Sequence, residues 1–191
     1  MDQEEVLQIF KEAGALQEGH FELRSGLHSP RYIQCANVLR HPRLAGKLCE
    51  GLAAKVRAGI SGDLPVDTVI APAIGGIVVG HELARVWDVP SIFTEKQDGA
   101  LVLKRFNISQ GERFIVAEDV VTRGGRVQET VNIVENHGGN VAAIALLVDR
   151  SGGQATFDYP VFSLLHMDPV TYEPDECPLC TEGLPLVHPG S

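Results

Sequence analysis

Two adjacent acidic residues followed by a glycine turn are the residues of this chain best placed to do chemistry. In the stretch FIVAEDVVTRGGRVQET, apolar residues lead to Glu118 and Asp119, two valines follow, and residues 122–125 open a helix. A buried strand would deliver both carboxylates to its carboxyl end. The glycine turn would then present backbone N–H groups and a helix N-terminus to an anion. Carboxylates beside a phosphate suit a sugar phosphate, whose hydroxyl groups can hydrogen-bond to the acids.

The spacing of this stretch disfavours two other phosphate-binding motifs. No Lys follows the glycines as a P-loop requires, and no G-x-G-x-x-G precedes an acidic residue about twenty positions later. The remaining alternative is a strand that ends in a solvated acidic turn. Arg123 and Arg126 would add positive charge at an anion site, although an Arg at a helix start is also compatible with simple solvation.

Alternating strands and helices are predicted to position these residues. The segments 75–87 and 125–136 predict helices, and strands are predicted by the apolar runs VDTVIAP, PSIFTEK, RFIVAEDV and VAAIALLVD. This alternation predicts an α/β fold with a central, mainly parallel sheet flanked by helices. Ligands bind beyond the carboxyl ends of the strands in such a sheet. The loops to inspect therefore follow Ala71, Lys96, Asp119 and Asp149.

The two ends of the chain follow other patterns. A capped helix is predicted over about 3–14, a small hairpin or hood over about 19–39, and a second helix over 42–56. Five prolines after residue 168 predict an extended tail. We predict one domain over 1–191, made of a helix and hood (1–40), an α/β core (41–167) and an extended Pro-rich C-terminal tail (168–191).

The composition narrows the class of protein. The formal net charge is −9, from 25 acidic and 16 basic residues, and no Lys/Arg block stands out, so a nucleic-acid partner is disfavoured. The N-terminus is charged, and no apolar run approaches the roughly 18 residues of a membrane span. Four cysteines are too few for a disulfide scaffold in a chain of 191 residues. We therefore expect a cytoplasmic protein with no membrane partner.

The stretch around the acidic pair resembles the phosphoribosyl pyrophosphate signature of the type I phosphoribosyltransferases. In both, four apolar residues, two acids, two apolar residues and a Thr-x-Gly turn follow one another. The resemblance implies that Glu118 and Asp119 hold the ribose hydroxyls. It also implies that the turn wraps the 5'-phosphate, through Val120, Val121, Thr122, Arg123, Gly124, Gly125 and Arg126. Gly125 departs from the family, where a Ser or Thr often supplies one further contact to phosphate.

Three further segments resemble the orotate phosphoribosyltransferases within this family. FELRSGLHSPRY resembles their hood, APAIGG their pyrophosphate loop, and VDR the strand end that supplies their orotate-binding Arg. The resemblance implies that Arg24 contacts phosphate and that Ala73, Ile74 and Gly75 face pyrophosphate. It implies that orotate is bound by Tyr32, Ile33, Thr122 and Arg150.

Each of these residues also has a plainer interpretation. Tyr32 could be a core aromatic residue, 73–76 only a tight turn, and Arg150 an ion-pair partner of Asp149. A phosphoribosyltransferase for a purine base is the alternative within the enzyme class. A phosphoribosyl pyrophosphate-sensing regulator that binds nucleic acid is the alternative outside it, and the missing basic patch argues against that.

The resemblance also implies a reaction and its partners. Phosphoribosyl pyrophosphate would transfer its phosphoribosyl group to orotate, with Mg²⁺ bound mainly through that substrate and with Lys96, Glu118 and Asp119 as catalytic residues. A homodimer would share the mobile loop between subunits, here the stretch 97–110. Many relatives carry Lys where Gly75 stands and a K-D-H-G-like run where this chain has KQDGALVLKRF. Lys104 and Arg105 are therefore candidate loop cations by position only.

Cys177 and Cys180 form a C-x-x-C pair in the tail. Such a pair is compatible with half of a zinc site or with a redox pair, but no second C-x-x-C accompanies it. We expect a structural thiol pair and assign no metal ligands. Zinc shared with Cys35, with Cys49 or with a second copy of the chain is the alternative.

Overall fold

The N-terminal part of the chain is a helix followed by a two-stranded hairpin. The structure, a computed structural model, describes all residues except 24, 61–65, 169, 190 and 191. Helix α1 spans Gln3–Glu12, and the Asp2 carboxylate caps it by accepting a 2.8 Å hydrogen bond from the Glu5 N–H. Strands β1 (Leu16–Glu22) and β2 (His28–Ile33) pair antiparallel. The predicted first helix and hood are therefore confirmed.

Helices and strands then alternate as the apolar runs predict. The helices are α2 (Ala36–Leu39), α3 (Pro42–Gly59), α4 (Gly75–Trp87) and α5 (Gly125–Asn136). The strands are β3 (Thr68–Pro72), β4 (Ser91–Gln97), β5 (Ala100–Val102), β6 (Arg113–Val121), β7 (Asn140–Asp149) and β8 (Val161–His166). The short elements α2 and β5 and the edge strand β8 are not in the prediction.

The six strands from β3 to β8 form one sheet in the order β5-β4-β3-β6-β7-β8. All neighbours pair parallel except β5, which runs antiparallel to β4. The predicted α/β class with a mainly parallel sheet is confirmed. The acidic strand β6 lies between β3 and β7, so the loops after these three strands meet at one edge of the sheet.

The residues of β6 alternate between two hydrophobic clusters, one on each face of the sheet. Ile115 and Ala117 belong to the cluster covered by α1, α3 and α4, whereas Phe114 and Val116 belong to the cluster covered by α5. This period of two follows from the strand geometry. Burial on both faces fixes the direction of each side chain, so the strand end is held rigidly where the two acids begin.

The tail returns to the hairpin instead of forming a layer of its own. It contains a 3₁₀ turn at Pro174–Glu176 and a short helix α6 at Pro178–Thr181. Isolated bridges join Tyr172 to His28 and Val187 to Phe21. The 3₁₀ turn and α6 are the helical elements of the tail within the described residues, and both the extended tail and the division into 1–40, 41–167 and 168–191 stay predictions. Within the described residues, no helix has the length and apolar character needed to cross a bilayer.

Candidate active site

A cleft of about 1070 Å³ opens at the carboxyl edge of the sheet. Its walls come from the end of β2, the loop after β3, the end of β4, and the segment from β6 into α5. The predicted residues that line it are Tyr32, Ala73, Ile74, Gly75, Lys96, Glu118, Asp119, Val120, Val121, Thr122, Arg123, Gly124, Gly125 and Arg126. The fold therefore gathers most of the predicted site residues around one cavity.

The two adjacent acids have different environments. Glu118 is only 5% exposed, whereas Asp119 is half-buried. Burial, followed by the neighbouring Asp119 carboxylate, raises the pKa of Glu118 to about 9, and the Arg126 guanidinium acts in the opposite direction. Glu118 is therefore protonated at neutral pH in these surroundings, although the sequence analysis treats both acids as carboxylates.

Backbone hydrogen bonds hold both acidic side chains in place. The Asp119 N–H donates to Glu118 Oε1 at 3.1 Å, and the Val120 N–H donates to Asp119 Oδ1 at 3.0 Å. Each bond restricts the rotamers of a side chain at the end of a rigid strand. The acids are thus positioned before any ligand binds.

The loop after β3 lies with its backbone directly against the two acids. A Cβ on Gly75 would lie 2.5 Å from Asp119 Oδ2, and a Cβ on Gly76 would lie 2.9 Å from Glu118 Oε1. Real Cβ contacts are essentially never that short. A side chain at position 75 would therefore require the Asp119 carboxylate to shift.

The turn after β6 ends in a helix start suited to an anion. Gly124 is the N-cap of α5 with φ of 78°, and no side chain among the described residues caps this end of the helix. A Cβ on Gly124 would meet Phe157 at 2.8 Å, so both conformation and packing require glycine. The first N–H groups of α5 consequently face the cleft without an internal partner, as phosphate binding at a helix N-terminus needs.

Tyr32 and Ile33, both predicted to line a base pocket, have different surroundings. Tyr32 lines the cleft and packs on Phe21 with ring centroids 5.7 Å apart. Ile33 is buried in the hydrophobic cluster opposite Leu16, and its side chain is not part of the cleft wall. Strand alternation is the reason, because neighbouring residues of β2 point to opposite faces. The prediction that Ile33 contacts the base stays a prediction.

Arg150 follows β7 beside the cleft but does not form its wall. Its backbone N–H donates to the Val121 carbonyl at 2.8 Å, which places it next to the end of the acidic strand. The guanidinium is half-buried, and that burial lowers its pKa. Asp149 was the ion-pair partner considered for Arg150 in the sequence analysis. Its Oδ1 accepts a 2.8 Å hydrogen bond from the Ser151 N–H, and its Oδ2 lies 3.6 Å from His166 Nδ1. Among the described residues, Arg150 has no carboxylate within ion-pair distance.

The stretch 97–110, predicted to be a flexible loop, begins as a hairpin. Strands β4 and β5 pair around Asp98 and Gly99, which have φ of 50° and 93°. The sequence signal was this Asp-Gly pair, typical of a tight hairpin turn. Arg105 forms hydrogen bonds of 2.8 and 3.2 Å with Glu95, and the Leu101 N–H donates to Glu129 at 3.1 Å. Arg105 thus has a structural partner in its own chain.

The amino-acid sequence matches a known protein family. The family described as "Phosphoribosyl transferase domain" matches residues 35–178, which is more than half of the chain. This chain belongs to the phosphoribosyltransferase family. The matched region contains the sheet, the cleft and both phosphate-facing loops.

Relatives of this phosphoribosyltransferase extend over its full length. The orotate phosphoribosyltransferase of Heliobacterium modesticaldum is 50% identical over all of this chain and 99% of its own, and that of Caldicellulosiruptor saccharolyticus is 48% identical over 100% and 98%. Among solved structures, orotate phosphoribosyltransferase from Aeropyrum pernix superimposes with a TM-score of 0.68 at 23% identity, covering 85% of this chain and 93% of the other. The structural likeness confirms the fold.

Several cleft residues of this phosphoribosyltransferase were not predicted. They are Gln34, Ala36, Glu95, Val127 and Glu129. Val127 and Glu129 lie in the stretch that carries the acidic pair, and Gln34 and Glu95 directly adjoin the predicted residues Ile33 and Lys96. One predicted phosphate contact, Arg24, lies outside the described residues.

Proposed function

We propose that this phosphoribosyltransferase transfers the phosphoribosyl group of phosphoribosyl pyrophosphate to orotate, yielding orotidine 5'-monophosphate and pyrophosphate. This is a step of pyrimidine nucleotide synthesis. The observation that carries the choice of base is the half-buried Arg150 beside the cleft, whose guanidinium has no carboxylate partner among the described residues. A planar guanidinium can hold the carboxylate of orotate through two parallel hydrogen bonds, which a purine base would not use. The names of the full-length relatives support the same assignment.

The proposed reaction forms a bond from orotate nitrogen to C1 of the ribose and breaks the bond from C1 to the pyrophosphate oxygen. Positive charge develops on the sugar ring and negative charge on the leaving group. Asp119 would offset the first, while Lys96 and the N–H groups of the loop after β3 would stabilise the second. The rate would therefore come from orientation and a preorganised electric field.

Glu118 would have a different role from Asp119 in the proposed reaction. A protonated carboxyl group can donate as well as accept hydrogen bonds at the ribose hydroxyls. Binding of a cationic or metal-bound ligand nearby would lower its pKa and favour the carboxylate. The proton on Glu118 is thus expected to leave as the substrate complex forms.

Mg²⁺ is the metal ion that the family implies for the substrate. In the wall of the cleft, Asp119 is a hard oxygen donor held in place by a backbone N–H, while burial raises the pKa of Glu118. That donor set fits an ion bound by one or two carboxylates together with substrate phosphates. Bound in this way, Mg²⁺ would neutralise charge on the pyrophosphate group.

We also propose that the chain forms a homodimer in the cytoplasm. Two exposed apolar residues near the cleft support a subunit contact, since Ile74 is 82% exposed and Val78 is 39% exposed. Lys96 lines the cleft of its own chain, so a loop shared with a neighbouring subunit would involve residues beyond β5. Size measurement in solution tests the dimer.

The activity is tested by incubating the full chain with phosphoribosyl pyrophosphate, Mg²⁺ and one base, and measuring pyrophosphate release and the nucleotide formed. We expect product with orotate and none with adenine or with uracil, which lacks the carboxylate. Product with adenine instead of orotate would replace the proposal by a purine-base enzyme.

A further inference from the structure

Four potential metal ligands from opposite ends of the chain converge beside the hairpin. His20 lies on β1 and His28 on β2, while Cys177 is the N-cap of α6 and Cys180 lies within that helix. One ligand atom from each residue lies within 4.8 Å of the other three. His20, His28 and Cys177 are buried, and Cys180 lies at the surface. This Cys₂His₂ cluster is separate from the cleft, and no step of the proposed reaction uses it.

The distances within the cluster fit a tetrahedral ion. His20 Nε2 lies 2.9 Å from His28 Nδ1 and 3.6 Å from each of the two sulfur atoms, and Cys180 Sγ lies 3.3 Å from His28 Nδ1. Zinc bonds of about 2.0–2.1 Å to nitrogen and 2.3 Å to sulfur, at tetrahedral angles, require roughly 3.3 Å between nitrogens and roughly 3.6 Å between nitrogen and sulfur. Small movements of side chains would satisfy these values.

A hydrogen bond to the tail orients the His20 ring as a metal ligand. Its Nδ1 lies 2.9 Å from the Leu184 carbonyl oxygen, which can only accept, so Nδ1 carries the proton. The Nε2 lone pair is then directed into the cluster. Metal-binding histidines in proteins generally have such a partner on the ring nitrogen that does not bind the metal. Leu184 belongs to the tail, so this contact also depends on the tail lying against the hairpin.

We propose that His20 Nε2, His28 Nδ1, Cys177 Sγ and Cys180 Sγ bind one structural Zn²⁺ ion. Binding would release the two thiol protons, and the two thiolates would balance the charge of the ion. Four protein ligands leave no open position, as is typical of structural and not catalytic zinc. The sequence-based alternative of zinc shared with Cys35 or Cys49 is not supported, because Cys35 Sγ contacts the Asp119 carbonyl and Cys49 Sγ the Val79 carbonyl.

The ion would cross-link the tail to the hood. The two bridges from Tyr172 and Val187 to the hairpin are short, and most of the tail is exposed. A metal that joins residues about 160 positions apart restricts the unfolded chain strongly, so its binding energy adds directly to the stability of the fold. Because two of the four ligands lie on the hairpin, the ion would stabilise the hood. The same hairpin carries Tyr32, which lines the cleft.

Metal analysis of the purified full-length protein tests the site. We expect about one zinc per chain in the wild type and in Cys49→Ala, a control that removes a buried thiol outside the cluster. We expect less than a tenth of that content in Cys180→Ala. Because Cys180 is exposed, its truncation leaves no core cavity, so a folded variant is expected.

Thermal unfolding with and without a chelator provides the second measurement. Chelation should lower the unfolding temperature of the wild type and of Cys49→Ala by several degrees and leave Cys180→Ala unchanged. Replacement by Co²⁺ should give the visible absorption of tetrahedral thiolate-bound cobalt in the first two proteins only. Lack of zinc uptake by reduced wild-type protein, zinc retained in Cys180→Ala, or bound iron in place of zinc would each overturn the proposal.

Discussion

Asp119 and Glu118 show how two neighbouring acids acquire different properties from their surroundings. Alternation along β6 directs Glu118 into the protein and leaves Asp119 half-buried at the cleft. The chemistry at this strand end therefore depends on one carboxyl group that faces the cleft and one whose pKa is raised by burial. Their replacements should have different effects on activity and on stability.

Replacing Asp119 by Asn should lower the rate of pyrophosphate release by about ten- to a thousandfold, the range for one or two lost electrostatic contacts. The amide keeps the shape of the side chain but removes its charge at the developing cation. Steady-state kinetics on protein with an unchanged circular dichroism spectrum measures the effect. Near-normal activity in the double variant Glu118→Gln/Asp119→Asn would contradict the assignment of both acids.

Replacing Glu118 by Gln should change how stability depends on pH. The folded pKa of about 9 lies above the unfolded value, so the folded state retains a proton that the unfolded state loses. The contribution of Glu118 is fully present below the unfolded pKa, and it declines by up to about 1.4 kcal/mol per pH unit as pH rises toward 9. Denaturant unfolding at pH 5 to 8 should show a smaller decline in Glu118→Gln than in the wild type.

Asp67→Asn is the control for this measurement. The Arg113 hydrogen bonds lower the pKa of Asp67 to about 2, so that carboxyl group is ionised in both folded and unfolded states above pH 5. Its replacement should leave the slope of the unfolding free energy against pH unchanged between pH 5 and 8. An equal slope in the wild type and Glu118→Gln would show that Glu118 is ionised in the folded protein.

Replacing Arg150 by Ala should weaken orotate binding by about 2 to 4 kcal/mol, the cost of removing one partner of a partly buried charged hydrogen bond. Binding of phosphoribosyl pyrophosphate should change little. Arg150→Lys keeps the charge but not the fork of donors, so it should recover only part of the loss. Titration calorimetry measures the affinity for both ligands. Equal losses of affinity for orotate and for phosphoribosyl pyrophosphate would mean that Arg150 is structural.

At the scale of elements, the loop after β3 and the strand β6 are fitted to each other. Gly75 and Gly76 allow the loop backbone to lie directly against the two acids. The loop therefore positions its own N–H groups and leaves the Asp119 side chain free to face the cleft.

Gly75→Ala should lower kcat/KM at least tenfold with little change in stability. The added methyl group can be accommodated only by turning the Asp119 carboxylate away, which is a small cost for folding but a large one at the reacting centre. Gly51→Ala in α3 is the matched control, because its Cβ would meet only the flexible Met1 side chain. Activity close to the wild type in Gly75→Ala would show that Asp119 need not keep its position.

At the scale of the whole molecule, the place of the β4–β5 hairpin decides whether subunits share residues. The contacts of Arg105 with Glu95 and of Leu101 with Glu129 hold the hairpin against its own chain. Lys96 lines the same cleft as Asp119. We therefore assign Lys96 to the cleft of its own chain, and the loop shared between subunits stays a prediction for the stretch 97–110.

Mixing an inactive Lys96→Ala chain with an inactive Asp119→Asn chain should consequently restore no activity. Every site in the hybrid would contain one of the two substitutions. Native mass spectrometry must confirm that heterodimers form, and refolding tagged with untagged wild type controls for losses on mixing. Substantial recovery would mean that Lys96 acts in the cleft of the neighbouring subunit.

The sequence by itself determined the features that depend on residues close together along the chain. The apolar runs predicted the long strands, helical periodicity predicted α1, α3 and α5, and the signature placed Glu118 and Asp119 at a strand end. These signals are local, since periodicity and turn chemistry are properties of short segments. The family resemblance rested on the same contiguous motifs.

Only the tertiary structure decided the features that join distant segments. It buried Ile33 on the far face of β2, raised the pKa of Glu118, and left Arg150 without Asp149 as a partner. It also brought His20 and His28 to a cysteine pair in the tail. Burial and close contact depend on how the elements pack, and packing joins residues that no spacing along one chain reveals.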